Sequence, residues 1–94
     1  MQTLNNKLEA LRYMYLEIVT PDKKIFEGEV SSVAMPGIDG GFEVLDNHAA
    51  LISALGKGIV KIKSSGGSQE YLIDGGMVEV LNNKVSLLAE GISI

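Results

Sequence analysis

This sequence predicts an all-β fold, about eight short strands arranged as an antiparallel sandwich or barrel. Three observations carry that expectation. From Met14 onward, apolar and polar residues alternate with the period of a half-buried strand. Turn-forming residues interrupt the alternation roughly every 8–12 residues. Nowhere does a strand pattern alternate with a helical one, as a parallel sheet requires.

Taken in order, residues 1–13 stand apart. Leu4, Leu8 and Leu11 share the i, i+4, i+7 spacing of one helix face, so this extension is read as a short helix or a frayed tail. The β-sandwich domain is expected over residues 14–90 and a short tail over 91–94. Tyr15-Leu16-Glu17-Ile18-Val19 reads as a strand, stopped by Thr20-Pro21-Asp22, where proline presets its own φ. Lys24-Ile25-Phe26-Glu27 is a short extended piece, and Gly28 marks a bend. Residues 29–35 read as one strand ending at Pro36-Gly37, and residues 36–41 as a glycine-rich loop with a single charge, Asp39. Phe42-Glu43-Val44-Leu45 returns as a strand, and Asp46-Asn47-His48 is a polar corner. Residues 49–55 lack a clear period, and their length favours a buried strand over a helix.

Gly56-Lys57-Gly58 makes a turn. Ile59-Val60-Lys61-Ile62-Lys63 is the cleanest alternation in the chain, with Val60 and Ile62 inward and both lysines outward. Residues 64–68 form a hairpin tip and residues 69–74 pair back. Gly75-Gly76 interrupts before Met77-Val78-Glu79-Val80-Leu81. Asn82-Asn83 supplies the positive φ of a two-residue hairpin turn, and residues 84–89 close that hairpin.

Composition narrows the function classes. The chain has 94 residues, a net charge of -4, 8 Lys+Arg against 12 Asp+Glu, and no cysteine. One domain fits that length. The acidic balance argues against nucleic acid as a partner. Without cysteine there is no disulfide framework and no thiolate metal site. No apolar run approaches the roughly 20 residues of a membrane-spanning helix, so no direct membrane insertion is expected. A cytoplasmic location follows from the absence of a secretory signal pattern.

The chemical inventory is equally sparse. His48 is the only histidine, and no nucleophile elbow accompanies it and Asp46. Asp39, Glu43 and Asp46 lack the alternating ligand spacing of a calcium loop. Gly56-Lys57 lacks the preceding glycine and the following Ser or Thr of a phosphate-binding loop. Gly37, Gly40 and Gly41 do not match a dinucleotide fingerprint. Lys84 follows a hairpin turn like the modified lysine of lipoyl and biotinyl carriers, but its neighbours differ from theirs. No catalytic residue, no metal ligand and no cofactor are therefore expected. The remaining alternative is a β-sandwich module that binds a small ligand or peptide.

At Leu16-Glu17-Ile18-Val19-Thr20-Pro21-Asp22 the chain resembles the epsilon subunit of F-type ATP synthases. The resemblance continues in Phe26-Glu27-Gly28-Glu29-Val30 and Val33-Ala34-Met35-Pro36-Gly37. It is strongest in Gly40-Gly41-Phe42-Glu43-Val44-Leu45-Asp46-Asn47-His48-Ala49-Ala50-Leu51, and it closes with Gly75-Gly76-Met77-Val78-Glu79-Val80-Leu81-Asn82-Asn83-Lys84-Val85 and Leu88-Ala89. It implies a ten-stranded β-sandwich and a non-catalytic place in the central stalk of the rotor. The implied partners are the gamma subunit and the c-ring of the membrane sector, on the cytoplasmic face of a bacterial plasma membrane. Pro36, Gly37, Ile38, Asp39, Gly40, Gly41 and Phe42 match the loop that faces the c-ring, where Asp39 would meet a basic group. His48, Ala49, Ala50 and Leu51 match the segment against gamma.

This sequence departs from the family pattern at three places. Ala50 replaces the usual proline after the His-Ala pair, Asp46-Asn47 replaces the usual Pro-Gly, and residues 1–13 precede the usual start. No helical segment follows Ala89, so the resemblance covers the family's β-sandwich and not its C-terminal helical hairpin. ATP binding and inhibition of hydrolysis, which that hairpin carries, are not expected.

Overall fold

Alternation does build strands, and there are ten of them in the computed structural model, which describes residues 13–93. They are β1 Met14–Val19, β2 Lys24–Val30, β3 Ser32–Gly37, β4 Gly40–Leu45, β5 Leu51–Leu55, β6 Gly58–Ser64, β7 Gly67–Ile73, β8 Gly76–Leu81, β9 Lys84–Ala89 and β10 Ile92–Ser93. The helix or tail expected over residues 1–13 lies, apart from Tyr13, outside the described residues.

Hydrogen bonding links all ten strands into one path, β10-β7-β6-β3-β5-β8-β9-β1-β2, with β4 added on β3. The sheet curls so that its two halves face each other as the layers of a sandwich. One core lies between them, including Leu16 and Ile18 of β1, Val33 of β3, Ile62 of β6, Val78 of β8 and Leu87 of β9. Each of these is at most 1% exposed. Burial of a large aliphatic side chain contributes about 1.5–3 kcal/mol, so this interior dominates the stability of so short a chain. Among the described residues, no buried side-chain polar atom lacks a hydrogen-bond partner.

The pivot of the curl is β3. Its first residues pair with β6 (Ser32↔Lys63, Val33↔Ile62, Ala34↔Lys61), and its last joins β5 (Gly37↔Leu55). Pro36 stands at this handover, where the missing N–H leaves no ladder bond unmade. Its carbonyl still accepts the Gly56 N–H at 2.8 Å. Gly58 passes so close that a Cβ there would lie 2.7 Å from the Pro36 Cβ, which excludes any side chain.

Four expectations are corrected. The sheet is not wholly antiparallel, because β1 runs parallel to β9, with Tyr15 opposite Lys84 and Val19 opposite Leu88. Local alternation carries no information about which strand becomes a neighbour. Residues 29–35 are not one strand; β2 continues through Gly28 to Val30, and the break falls at Ser31, whose N–H donates to the Lys63 carbonyl at 2.7 Å. Residues 36–41 are mostly strand rather than loop. Residues 49–55 are not a buried strand, since Ile52 of β5 is 70% exposed. In addition, β10 pairs with β7 within the stretch read as a tail. The inward Val60 and Ile62, the outward lysines and the Asn82-Asn83 turn are as expected, with φ of 52° and 63° at the two asparagines.

Candidate interaction surface

The two segments singled out in the sequence lie at opposite ends of β5. At one end is the β3–β4 hairpin tip. Gly37 pairs with Gly40, and only Ile38 and Asp39 lie between them. A Cβ on Gly37 would come 2.6 Å from the Gly40 carbonyl oxygen and 3.0 Å from the Phe42 ring, so the tip closes only on glycine. Gly40 has a φ of 131°, which glycine alone adopts without strain. The Ile38 N–H donates to the Ala54 carbonyl at 3.1 Å, tying the tip to β5. Ile38 is 66% exposed, and Asp39 and Gly41 are exposed as well. Phe42 is different: it is half-buried and packs on the core as the anchor of the hairpin. Among the described residues, no ion pair reaches Asp39.

At the other end is the corner before β5. Asn47 takes a φ of 64°, and the His48 N–H donates to the Leu45 carbonyl at 3.1 Å. The His48 Nδ1 lies 2.7 Å from the Ala49 carbonyl, so that nitrogen carries the proton and donates. Ala49 and Ala50 are exposed, His48 is half-buried, and Leu51 packs against the core. The imidazole is thus half-buried and hydrogen-bonded to the neighbouring backbone. Among the described residues, no three His, Cys, Asp or Glu side chains gather where a metal would need them.

A surface that sequence reading missed starts at the Ala54 end of β5 and runs across the sheet. Strand register sets Ala54 opposite Met77, Met77 opposite Leu88 and Leu88 opposite Val19. These four form an outward apolar row across β5, β8, β9 and β1. Met77 is 51% exposed and Leu88 53%. A shallow groove of about 400 Å³ lies over Met77, Leu88 and Val19 of this row, bounded by Pro21 and Gly76. Ile52 stands one row further along β5, opposite Glu79. The signal was present in residues 49–55, which are apolar on both faces of a strand. Such a composition suits a strand covered on both sides, and among the described residues the face bearing Ile52 and Ala54 is uncovered.

Further along the same face, the rows of β9, β1 and β2 around Tyr15 and Glu17 are charged. Lys24 Nζ lies 3.2 Å from Glu17 and 2.7 Å from Glu27, Lys84 Nζ lies 3.9 Å from Glu17, and the Tyr15 hydroxyl donates to Glu27. Solvated ion pairs of this kind contribute little stability.

A family model described as the beta-sandwich domain of the ATP synthase delta/epsilon chain matches residues 13–93. The chain belongs to the ATP synthase delta/epsilon chain family. It is 47% identical over 79 residues to the ATP synthase epsilon chain of Chlorobium limicola, covering 83% of this chain and 90% of that one. With the epsilon chain of Maridesulfovibrio salexigens it shares 46% identity over 77 residues, covering 82% of this chain and 54% of that relative. The chain thus spans nearly all of one epsilon relative and about half of another. Its fold matches a chain in the cryo-EM structure of Euglena gracilis mitochondrial ATP synthase, OSCP/F1/c-ring, with a TM-score of 0.81 at 23% identity over 86% of this chain and 52% of that one. A second match, TM-score 0.73 at 22% identity, is a chain of the central stalk/c-ring structure from Tetrahymena thermophila; it covers 85% of this chain and 65% of that one. The ten-stranded sandwich implied by the sequence is the fold of the family. Among the described residues, no helix is long and apolar enough to cross a membrane.

Proposed function

We propose that the chain is a non-catalytic subunit of the ATP synthase rotor, joining the gamma subunit to the c-ring and so coupling ion translocation to ATP synthesis. In this reading the Ile38-Asp39 tip, with Pro36, Gly37, Gly40, Gly41 and Phe42 behind it, faces the polar ends of the c-ring. Residues 48–51 face gamma. The subunit is then peripheral, on the cytoplasmic face of a bacterial plasma membrane. The single observation that carries the reading is the position of the two segments at opposite ends of one short strand, β5. Its five residues span roughly 13 Å at about 3.3 Å each, pinned at Leu55 by the core and at Ile38 by a backbone hydrogen bond. A part that transmits torque between two neighbours has to resist shear, and β5 is bonded to β8 along its whole length and to β3 and the tip at one end.

The exposed apolar row supports the same reading, because an unpartnered apolar strip on a small domain marks an interface. The test is direct association of the purified chain with the gamma subunit of its organism. Binding at micromolar concentration or tighter is expected, and no binding at that concentration sinks the proposal. A cysteine in place of Ile38 is expected to crosslink to the c-ring in the assembled complex, and a cysteine in place of Lys61 is not.

A further inference from the structure

Asn83 is the second residue of the β8–β9 turn, and its φ of 63° limits the position to asparagine, aspartate or glycine in practice. Glycine would satisfy the turn. The asparagine side chain has a further set of partners, all from distant parts of the chain. Its Nδ2 donates to Asp46 Oδ1 at 2.8 Å and to the Tyr13 carbonyl at 3.3 Å, while its Oδ1 accepts the Asn47 N–H at 2.8 Å. The Asp46 carboxylate only accepts and the Asn47 N–H only donates, so one orientation of the amide satisfies both. The backbone adds a fourth link, Tyr15 N–H to the Asn83 carbonyl at 3.1 Å.

The segment it reaches needs such a hold. Residues 46–50 belong to no strand, so no ladder fixes them. Asn47 is itself in the left-handed region, and no proline stiffens the corner ahead of β5. Apart from the His48 N–H to Leu45 bond and the local His48 ring contact, the Asn83 amide is the only hydrogen-bonding group on the described residues that grips it.

We propose that Asn83 is a positioning residue: its side-chain amide latches Asp46 and Asn47 and thereby presents His48, Ala49, Ala50 and Leu51 in one conformation. The latch stands on geometry alone, and its consequence for a partner rests on the gamma-facing reading above. Asn83→Gly keeps the turn and removes the amide. Asn83→Asp keeps the turn and the acceptor for Asn47 but sets a carboxylate against Asp46. Asp46→Ala removes the latch from the other side and serves if the first variant fails to fold.

The measurement is amide hydrogen exchange by NMR on the full chain. The His48 N–H is the reporter, since it bonds to Leu45 and not to Asn83. The Ile38 N–H, at the far end of β5, is the control. In Asn83→Gly and Asp46→Ala, His48 exchange is expected to rise about tenfold, the effect of losing one good hydrogen bond, with Ile38 unchanged. Asn83→Asp is expected to do the same at pH 7, where two carboxylates would face each other. Adding Asp46→Asn to it places a donor opposite the new carboxylate and restores protection at pH 7. Unchanged His48 exchange overturns the proposal, and so does an equal rise at His48 and Ile38, which means a merely structural turn residue. Gamma affinity of Asn83→Gly is read separately, with about a tenfold loss expected. A loosened corner with full gamma affinity upholds the latch and overturns the gamma-facing reading.

Discussion

The hairpin tip and the corner end the same strand, yet they are held by different means. The tip is fixed by local chemistry: glycines at Gly37 and Gly40 permit a closure that no Cβ allows, and backbone bonds from Ile38 and Gly56 tie it down. The corner is fixed from a distance, by one side chain that lies 37 residues away from Asp46 in the chain. A backbone-built tip tolerates change in its exposed side chains and no change in its glycines. A side-chain latch has the reverse weakness. Its backbone is forgiving, and a single amide decides its order.

That contrast predicts a graded series. The largest effect belongs to Gly37→Ala, whose new Cβ would need to displace the Gly40 carbonyl and the Phe42 ring. Overpacking of this kind costs about 2–3 kcal/mol. A melting temperature lowered by about 10 °C or more, followed by circular dichroism, is the expected result. A shift under 2 °C would mean that the tip is softer than its geometry. Next comes Asp46→Ala, which leaves an Asn83 donor unpaired at a partly buried site; about 1 kcal/mol is lost, with the tip's amide exchange unaltered.

Lys24→Ala touches neither region. Its ion pairs are half-exposed, so the change is under about 1 kcal/mol and vanishes with added salt. Ile38→Ser has the smallest effect on folding, within about 0.5 kcal/mol for so exposed a residue. It is nonetheless expected to weaken association with the c-ring in reconstituted complexes. Loss of folding stability with intact association would reverse the roles assigned to the tip.

The two regions also differ in how legible they were. The strands, the inward faces of β1 and β6 and the Asn82-Asn83 turn follow from local pattern, because alternation and positive φ are properties of neighbouring residues. The hairpin tip was located correctly but read as a loop, since glycine marks a close approach as readily as it marks an opening. Residues 49–55 were read as buried because apolar content does not say which molecule provides the cover. The row formed by Ala54, Met77, Leu88 and Val19 exists only once four strands are in register, and no local feature sets that register. Asn83 was read for its turn alone. Its grip on Asp46 depends on a fold that brings residues 46 and 83 together.

The parallel pairing of β1 with β9 has a consequence for how this domain is made. Tyr15 finds its partner in Lys84, which leaves the ribosome 69 residues later. At about 5–20 residues per second, that is a wait of roughly 3–14 s. Throughout it, β1 can pair with β2 along one side while its other edge stays open, lined by backbone groups that any strand could join. Nascent chains therefore carry an open edge at β1 until almost the last strand emerges, and the sheet closes late.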